Sequence, residues 1–198
     1  MSHRIRIAQV LALVVGGAVA VGAQENARKL FEAGKYQVVV EQTAGDGSPD
    51  AQYLKGLAHR KLDQNDQAKD AFQHLVEAGD EWQAVGESAI ALTDGDLDHA
   101  LEAAERAVER NTGLAQAQYQ LGLVLDVRGD NAAAAAAFAK AAEANPQMAY
   151  AHYYAGMNFY KAKRVDRMAV YFENFLKLAP NAPERPAVES IMRTVRGR

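Results

Sequence analysis

The chain has 198 residues, a formal net charge of −3 and no cysteine. That length suits one ordinary domain or one short repeat array. The missing cysteine excludes disulfides, thiolate metal sites, a Cys nucleophile and a lipid-anchored lipoprotein, and the slight negative charge argues against nucleic-acid binding through a basic surface.

The first element is an export-like segment. Met1–Arg6 is short and basic, and Ile7–Ala23 then runs 17 residues without a charge. Its apolar centre, Val10–Val21, is broken by Gly16-Gly17, and small residues lead up to Gln24. This is the order of regions in a secretory signal peptide, with cleavage expected after Ala23 and Ala20 as the second choice. The run falls short of the ~20 residues of a spanning helix. A retained membrane anchor is the alternative, and a buried helix is a third reading, which the glycine pair weakens. The expected location is periplasmic or secreted, with membrane contact only if the segment is retained.

Helical patterns fill the remainder. Gln24–Ala33 places Ala27, Leu30 and Phe31 at helical spacing, and Gly34 ends it. Lys35–Thr43 carries Tyr36, Val39 and Val40; its β-branched Val38–Val40 also allows a strand, but the flanking helices favour helix. Residues 24–46 thus form an irregular first pair. Ala44–Pro49 is a turn signal. Asp50–Leu62 with Gln64–Ala78 and Glu81–Thr93 with Asp96–Arg110 make the next two pairs. Two more occupy 115–148 and 149–182. Six consecutive alanines within Asn131–Ala137 read as helix, because alanine is the best helix former. Pro183–Val195 reads as a final helix with Val188, Ile191, Met192 and Val195 on one face, and prolines in a first turn are tolerated. Its expected role is to cap the exposed end of the array.

The pairs repeat one another. Gly122 returns as Gly156, Phe138 as Phe172 and Pro146 as Pro180, each after 34 residues. Gly56, Ala68 and Phe72 keep the internal spacing of Gly122, Ala134 and Phe138. In the third pair Ser88 stands for the glycine and Ala104 for the phenylalanine. A glycine in one helix admits close approach of the next, and alanines flanking a phenylalanine give that second helix one buried face. The pattern Leu121, Gly122, Ala134, Phe138, Ala141, Pro146 resembles the tetratricopeptide repeat. Departures are Leu125 at a usually aromatic place and Met168 at an alanine. The resemblance implies an all-α, right-handed solenoid of about five helix pairs, with repeats near 49–80, 81–114, 115–148 and 149–182, plus the capping helix 183–198.

It also implies a non-enzymatic scaffold that binds a protein or peptide segment in a concave groove lined by first helices. The groove residues are then Tyr53, Arg60, Lys61, Trp82, Tyr119, Leu123, Tyr150, Tyr153, Met157, Tyr160 and Lys161. Tyr53, Tyr119 and Tyr153 hold one place in three pairs. Tyrosine and tryptophan anchor partners by burying area while keeping a polar handle; the alternative is that some rings are inter-repeat core. Tyr53 and Leu57 stand where some members carry Lys and Asn to clamp a C-terminal carboxylate, so that mode is not expected.

Catalytic patterns are lacking. The five histidines show no metal spacing, no serine lies in a nucleophile elbow, and no phosphate loop is present. Asp94, Asp96 and Asp98 faintly suggest a calcium loop, but Gly95 is misplaced and Glu105 falls within a helix. No cofactor or metal is expected. Charge is uneven: residues 62–110 hold 13 acidic and 3 basic residues, and 160–198 hold 9 basic and 4 acidic. The two faces either keep the array soluble or present a basic end, around Lys163, Arg164, Arg167, Arg193, Arg196 and Arg198, to an acidic protein or membrane. The second functional reading is a structural subunit of an envelope-associated complex or homo-oligomer, joined through the solenoid edge.

Overall fold

The computed structural model describes residues 22–197. Most of the expected signal segment, and Arg198 of the basic end, lie outside them. Among the described residues eleven helices follow one another: α1 (22–32), α2 (Tyr36–Thr43), α3 (Pro49–Lys61), α4 (Asn65–Ala78), α5 (Asp80–Asp94), α6 (Leu97–Arg110), α7 (Ala115–Arg128), α8 (Asn131–Ala144), α9 (Ala149–Lys161), α10 (Val165–Leu178) and α11 (Arg185–Arg196). The architecture is the expected helical solenoid. Val38–Val40 is helical, and Val39 is wholly buried. The expected cleavage point after Ala23 falls inside helix α1.

Local chemistry sets the helix ends. The Ser48 hydroxyl accepts the Ala51 amide to cap α3, with Pro49 in the first turn. Asp96 caps α6 through the His99 amide at 3.1 Å. Gly95 and Gly129 close α5 and α7 in left-handed conformations, with φ of 81° and 84°.

The repeat contact is steric. Phe72, Phe138 and Phe172 are fully buried, and each ring lies where a side chain on Gly56, Gly122 or Gly156 would stand; at Gly122 a Cβ would come within 2.7 Å of Phe138. In the third pair Ala104 leaves room, and Ser88 fills it while donating to the Ala100 carbonyl at 2.8 Å. The smaller contact is thus compensated by a buried hydrogen bond. At the far end α11 sets Val188 and Met192 into the core next to α10, as a cap should. Among the described residues, no helix is long and apolar enough to cross a membrane.

Candidate functional site: the concave face

Side chains of the first helices α3, α5, α7 and α9, which the repeat pattern expects to line the groove, make contact with one another. Tyr53 of α3 donates its hydroxyl to Gln120 of α7 at 3.1 Å, and Gln120 donates to Ser88 of α5 at 3.2 Å. The Tyr119 ring meets Phe138 edge-on at 5.4 Å and Tyr154 at 6.0 Å. Tyr150 packs on Tyr153 at 5.8 Å and on Tyr154 at 6.1 Å. Between 4.5 and 7 Å such ring pairs are attractive beyond their burial.

This placement corrects part of the groove expectation. Tyr53, Tyr119 and Tyr150 are only 3%, 4% and 3% exposed, so they belong to the core side of the alternative. Burial pushes all three hydroxyls well above the ordinary tyrosine range. Burial likewise moves Tyr153 and Tyr154 up to about 12. All five therefore stay protonated at neutral pH and can donate hydrogen bonds.

The remaining expected residues form the accessible part of the face. Arg60, Trp82, Leu123, Tyr153 and Met157 are half-buried, and Tyr160 is 41% exposed. Lys61 reaches across from α3 to donate to the Tyr154 hydroxyl at 3.4 Å, with its ammonium 5.6 Å from the centre of the Tyr150 ring. Lys161 is paired with Asp126 at 2.6 Å. Sequence reasoning missed Tyr154, adjacent to Tyr153, and Gln120, adjacent to Tyr119. Simple helical spacing gave them no inward assignment.

The first helix pair also behaves differently from a stacked terminal repeat. Phe31 meets Tyr150 edge-on at 5.4 Å, the Tyr36 and Tyr150 hydroxyls lie 3.4 Å apart, and Tyr150 donates to Glu184 at 2.8 Å. Gly34 turns the chain with φ of 73°, and Pro183 lies against it. The N-terminal pair thus reaches α9 and the connection to α11, closing one end of the concave face.

Glu32 takes part in that closure. It is 8% exposed and accepts the backbone N–H of Ala149 at the start of α9. Burial is the dominant effect and raises its carboxyl from 4.5 to about 7, outweighing that hydrogen bond and the nearby Arg28 and Lys29. The folded state therefore holds this proton more tightly than the unfolded chain. The resulting stability is full below pH 4.5 and is lost as pH rises towards about 7. Glu32→Gln should flatten the pH dependence of the melting temperature across that window and melt higher than wild type at pH 8. An unchanged pH profile would show that Glu32 ionises freely.

Under this closure lies a cavity of about 300 Å³. Its floor is aromatic (Phe31, Tyr53, Tyr119, Tyr150), and its rim carries Asp46 and Asp50.

Comparison with known proteins gives a consistent assignment. Two sequence profiles of the tetratricopeptide repeat match, one over residues 50–78 and the other over 86–147 and 119–183. No curated protein sequence matches the chain. Among solved structures, TTC0263, a thermophilic TPR protein of Thermus thermophilus, aligns with a TM-score of 0.62 and 18% identity, over 86% of this chain and 97% of that one. YrrB, described as a TPR protein with an unusual peptide-binding site, aligns with a TM-score of 0.53 and 19% identity, over 85% of this chain and 90% of that one. At such identities the likeness is one of fold. The profile matches span well over half of the chain and coincide with the glycine–phenylalanine contacts seen between paired helices, so this protein belongs to the tetratricopeptide-repeat family.

Proposed function

We propose that the protein is an exported, non-enzymatic scaffold that binds an extended segment or short helix of a protein partner on its concave face. The carrying observation is the set of incompletely buried side chains Trp82, Tyr153 and Met157 packed against the buried ring cluster, with the exposed ring of Tyr160 on the same helix as Tyr153 and Met157. Tyrosine, tryptophan and methionine are typical interface anchors, and a preorganised floor lowers the ordering cost of binding. The family's general role in protein–protein interaction, and the peptide-binding site attributed to YrrB, support this reading. Export, with a periplasmic or secreted location, rests on the basic-then-apolar N-terminus.

The test is cross-linked affinity capture from the native cell envelope, comparing wild type with a Met157→Ala/Tyr160→Ala variant. These side chains carry less of the core than Tyr119, so folding should persist. A partner captured by wild type and lost with the variant supports the concave-face reading. Capture that survives the variant moves the contact away from these two side chains, for instance to the exposed Val127 and Val170, each 57% exposed, and favours the structural-subunit reading.

A further inference from the structure

The cavity beneath the N-terminal pair has a composition that the groove reading does not use. Its volume, about 300 Å³, is at the lower end of ligand pockets, which run roughly 300–1,000 Å³. Among the described residues, Arg28 is the one basic residue lining it, against Glu32, Asp46 and Asp50. Asp46 accepts the Ser48 amide at 2.9 Å through one oxygen, and Asp50 accepts the Gln116 side-chain amide through one oxygen. The second oxygen of each takes no hydrogen bond from a described residue. Burial is the largest effect on the Asp50 carboxyl and raises it; the Arg28 guanidinium opposes this, and the like charges of Asp46 and Glu81 add smaller upward pushes. Among the described lining residues three carboxyl groups thus stand against the single guanidinium of Arg28, so the rim is acidic in composition.

A separate observation lies in the cavity itself. Tyr119 lines it and is 4% exposed, yet its hydroxyl forms no hydrogen bond with a described residue. The neighbouring Tyr53 and Tyr150 hydroxyls are both paired. The hydroxyl is not among the sealed polar atoms of the core, so it opens into the cavity and is available to pair with an incoming group.

We propose that this cavity is the anchoring pocket for one basic side chain, of the arginine type, carried by the partner segment. The proposal rests on the concave-face reading and specifies one contact within it. A guanidinium is planar, weakly hydrated and able to stack on aromatic rings, and its several N–H groups diverge. The tyrosines and Phe31 receive its stem and face, the free oxygens of Asp46 and Asp50 accept from its outer N–H groups, and the Tyr119 hydroxyl accepts from within. A carboxylate-bearing segment meets repulsion at the rim, and a neutral apolar one leaves the rim and the hydroxyl unpaired.

The full chain should be panned against short random peptides, in parallel with Asp46→Asn/Asp50→Asn and Tyr119→Phe. Both variants keep side-chain volume, and thermal melts verify that each folds. The selected wild-type peptides should share a basic position. Replacing that residue by norleucine should weaken binding about tenfold or more, the scale of a lost charge-assisted hydrogen bond. Asp46→Asn/Asp50→Asn should abolish the basic preference, and Tyr119→Phe should weaken the basic peptide but not its norleucine counterpart. Selected peptides without a basic preference, or with one that persists in Asp46→Asn/Asp50→Asn, would overturn the pocket while leaving the groove reading intact. If no peptide is selected, both readings fail.

Discussion

Tyr119→Ala is expected to destabilise the protein by about 3–5 kcal/mol, the usual cost of deleting a large buried aromatic ring. The ring is 4% exposed and lies between Phe138 of its own pair and Tyr154 of the next. Removing it leaves a void at the junction of α7, α8 and α9 and loosens the packing of Phe138, the residue that defines the repeat. Because each pair stabilises mainly its neighbours, loss at one junction can split the cooperative unit. Urea unfolding followed by circular dichroism should show a lower midpoint, and a second transition if the array separates there. A loss below about 1 kcal/mol would mean that the ring is effectively a surface group. Tyr153→Ala should cost less, since Tyr153 is only half-buried against Phe175 and Tyr150. Tyr119→Ala therefore cannot by itself report on partner binding, because it alters the fold as well, whereas Tyr119→Phe keeps the ring and removes only the hydroxyl.

Gln120→Leu is the second large effect. Gln120 is fully buried and lies in a chain of hydrogen bonds crossing four helices: Tyr53 to Gln120, Gln120 to Ser88, and Ser88 to the Ala100 carbonyl. Leucine has nearly the right volume but accepts and donates nothing. The Tyr53 hydroxyl and the Ser88 oxygen each lose a partner away from water, at about 1–3 kcal/mol per group, giving about 2–6 kcal/mol in all. Adding Tyr53→Phe removes one of the stranded groups and should recover part of the loss. This double-mutant cycle separates the hydrogen bond from simple packing. If Gln120→Leu melts with wild type, the network contributes nothing, and α3 is held to α7 by apolar contact alone.

The third pair shows how the two effects interlock. Ala104 replaces the bulky phenylalanine, and the sequence therefore marks this junction as a smaller contact. Ser88 uses the vacated space for a buried hydrogen bond and at the same time receives Gln120. The departure from the repeat pattern is the point where the polar network enters the core.

Helix number, type and most boundaries were legible in the sequence because they depend on local information. Glycine and proline end helices for steric reasons, the apolar spacing matches one helical face, and the interval of 34 between Gly122 and Gly156 ties one pair to the next. The assignment of the first helices to the inward side came from the resemblance to the repeat family and not from the local pattern. Neither could decide how far inward each side chain would go. Tyr53 and Tyr160 both read as groove aromatics, yet one is 3% and the other 41% exposed. Their exposure depends on the curvature of the array, which accumulates from small rotations between pairs that no short stretch of sequence encodes. Curvature also brings Lys61 to Tyr154 and Tyr36 to Tyr150, residues 93 and 114 positions apart. The repeat family and its helical pairs were thus determined by the sequence alone. The buried tyrosine cluster, the closure by the N-terminal pair and the acidic-rimmed cavity were decided only by the tertiary structure, because each depends on contacts between helices that are not neighbours along the chain.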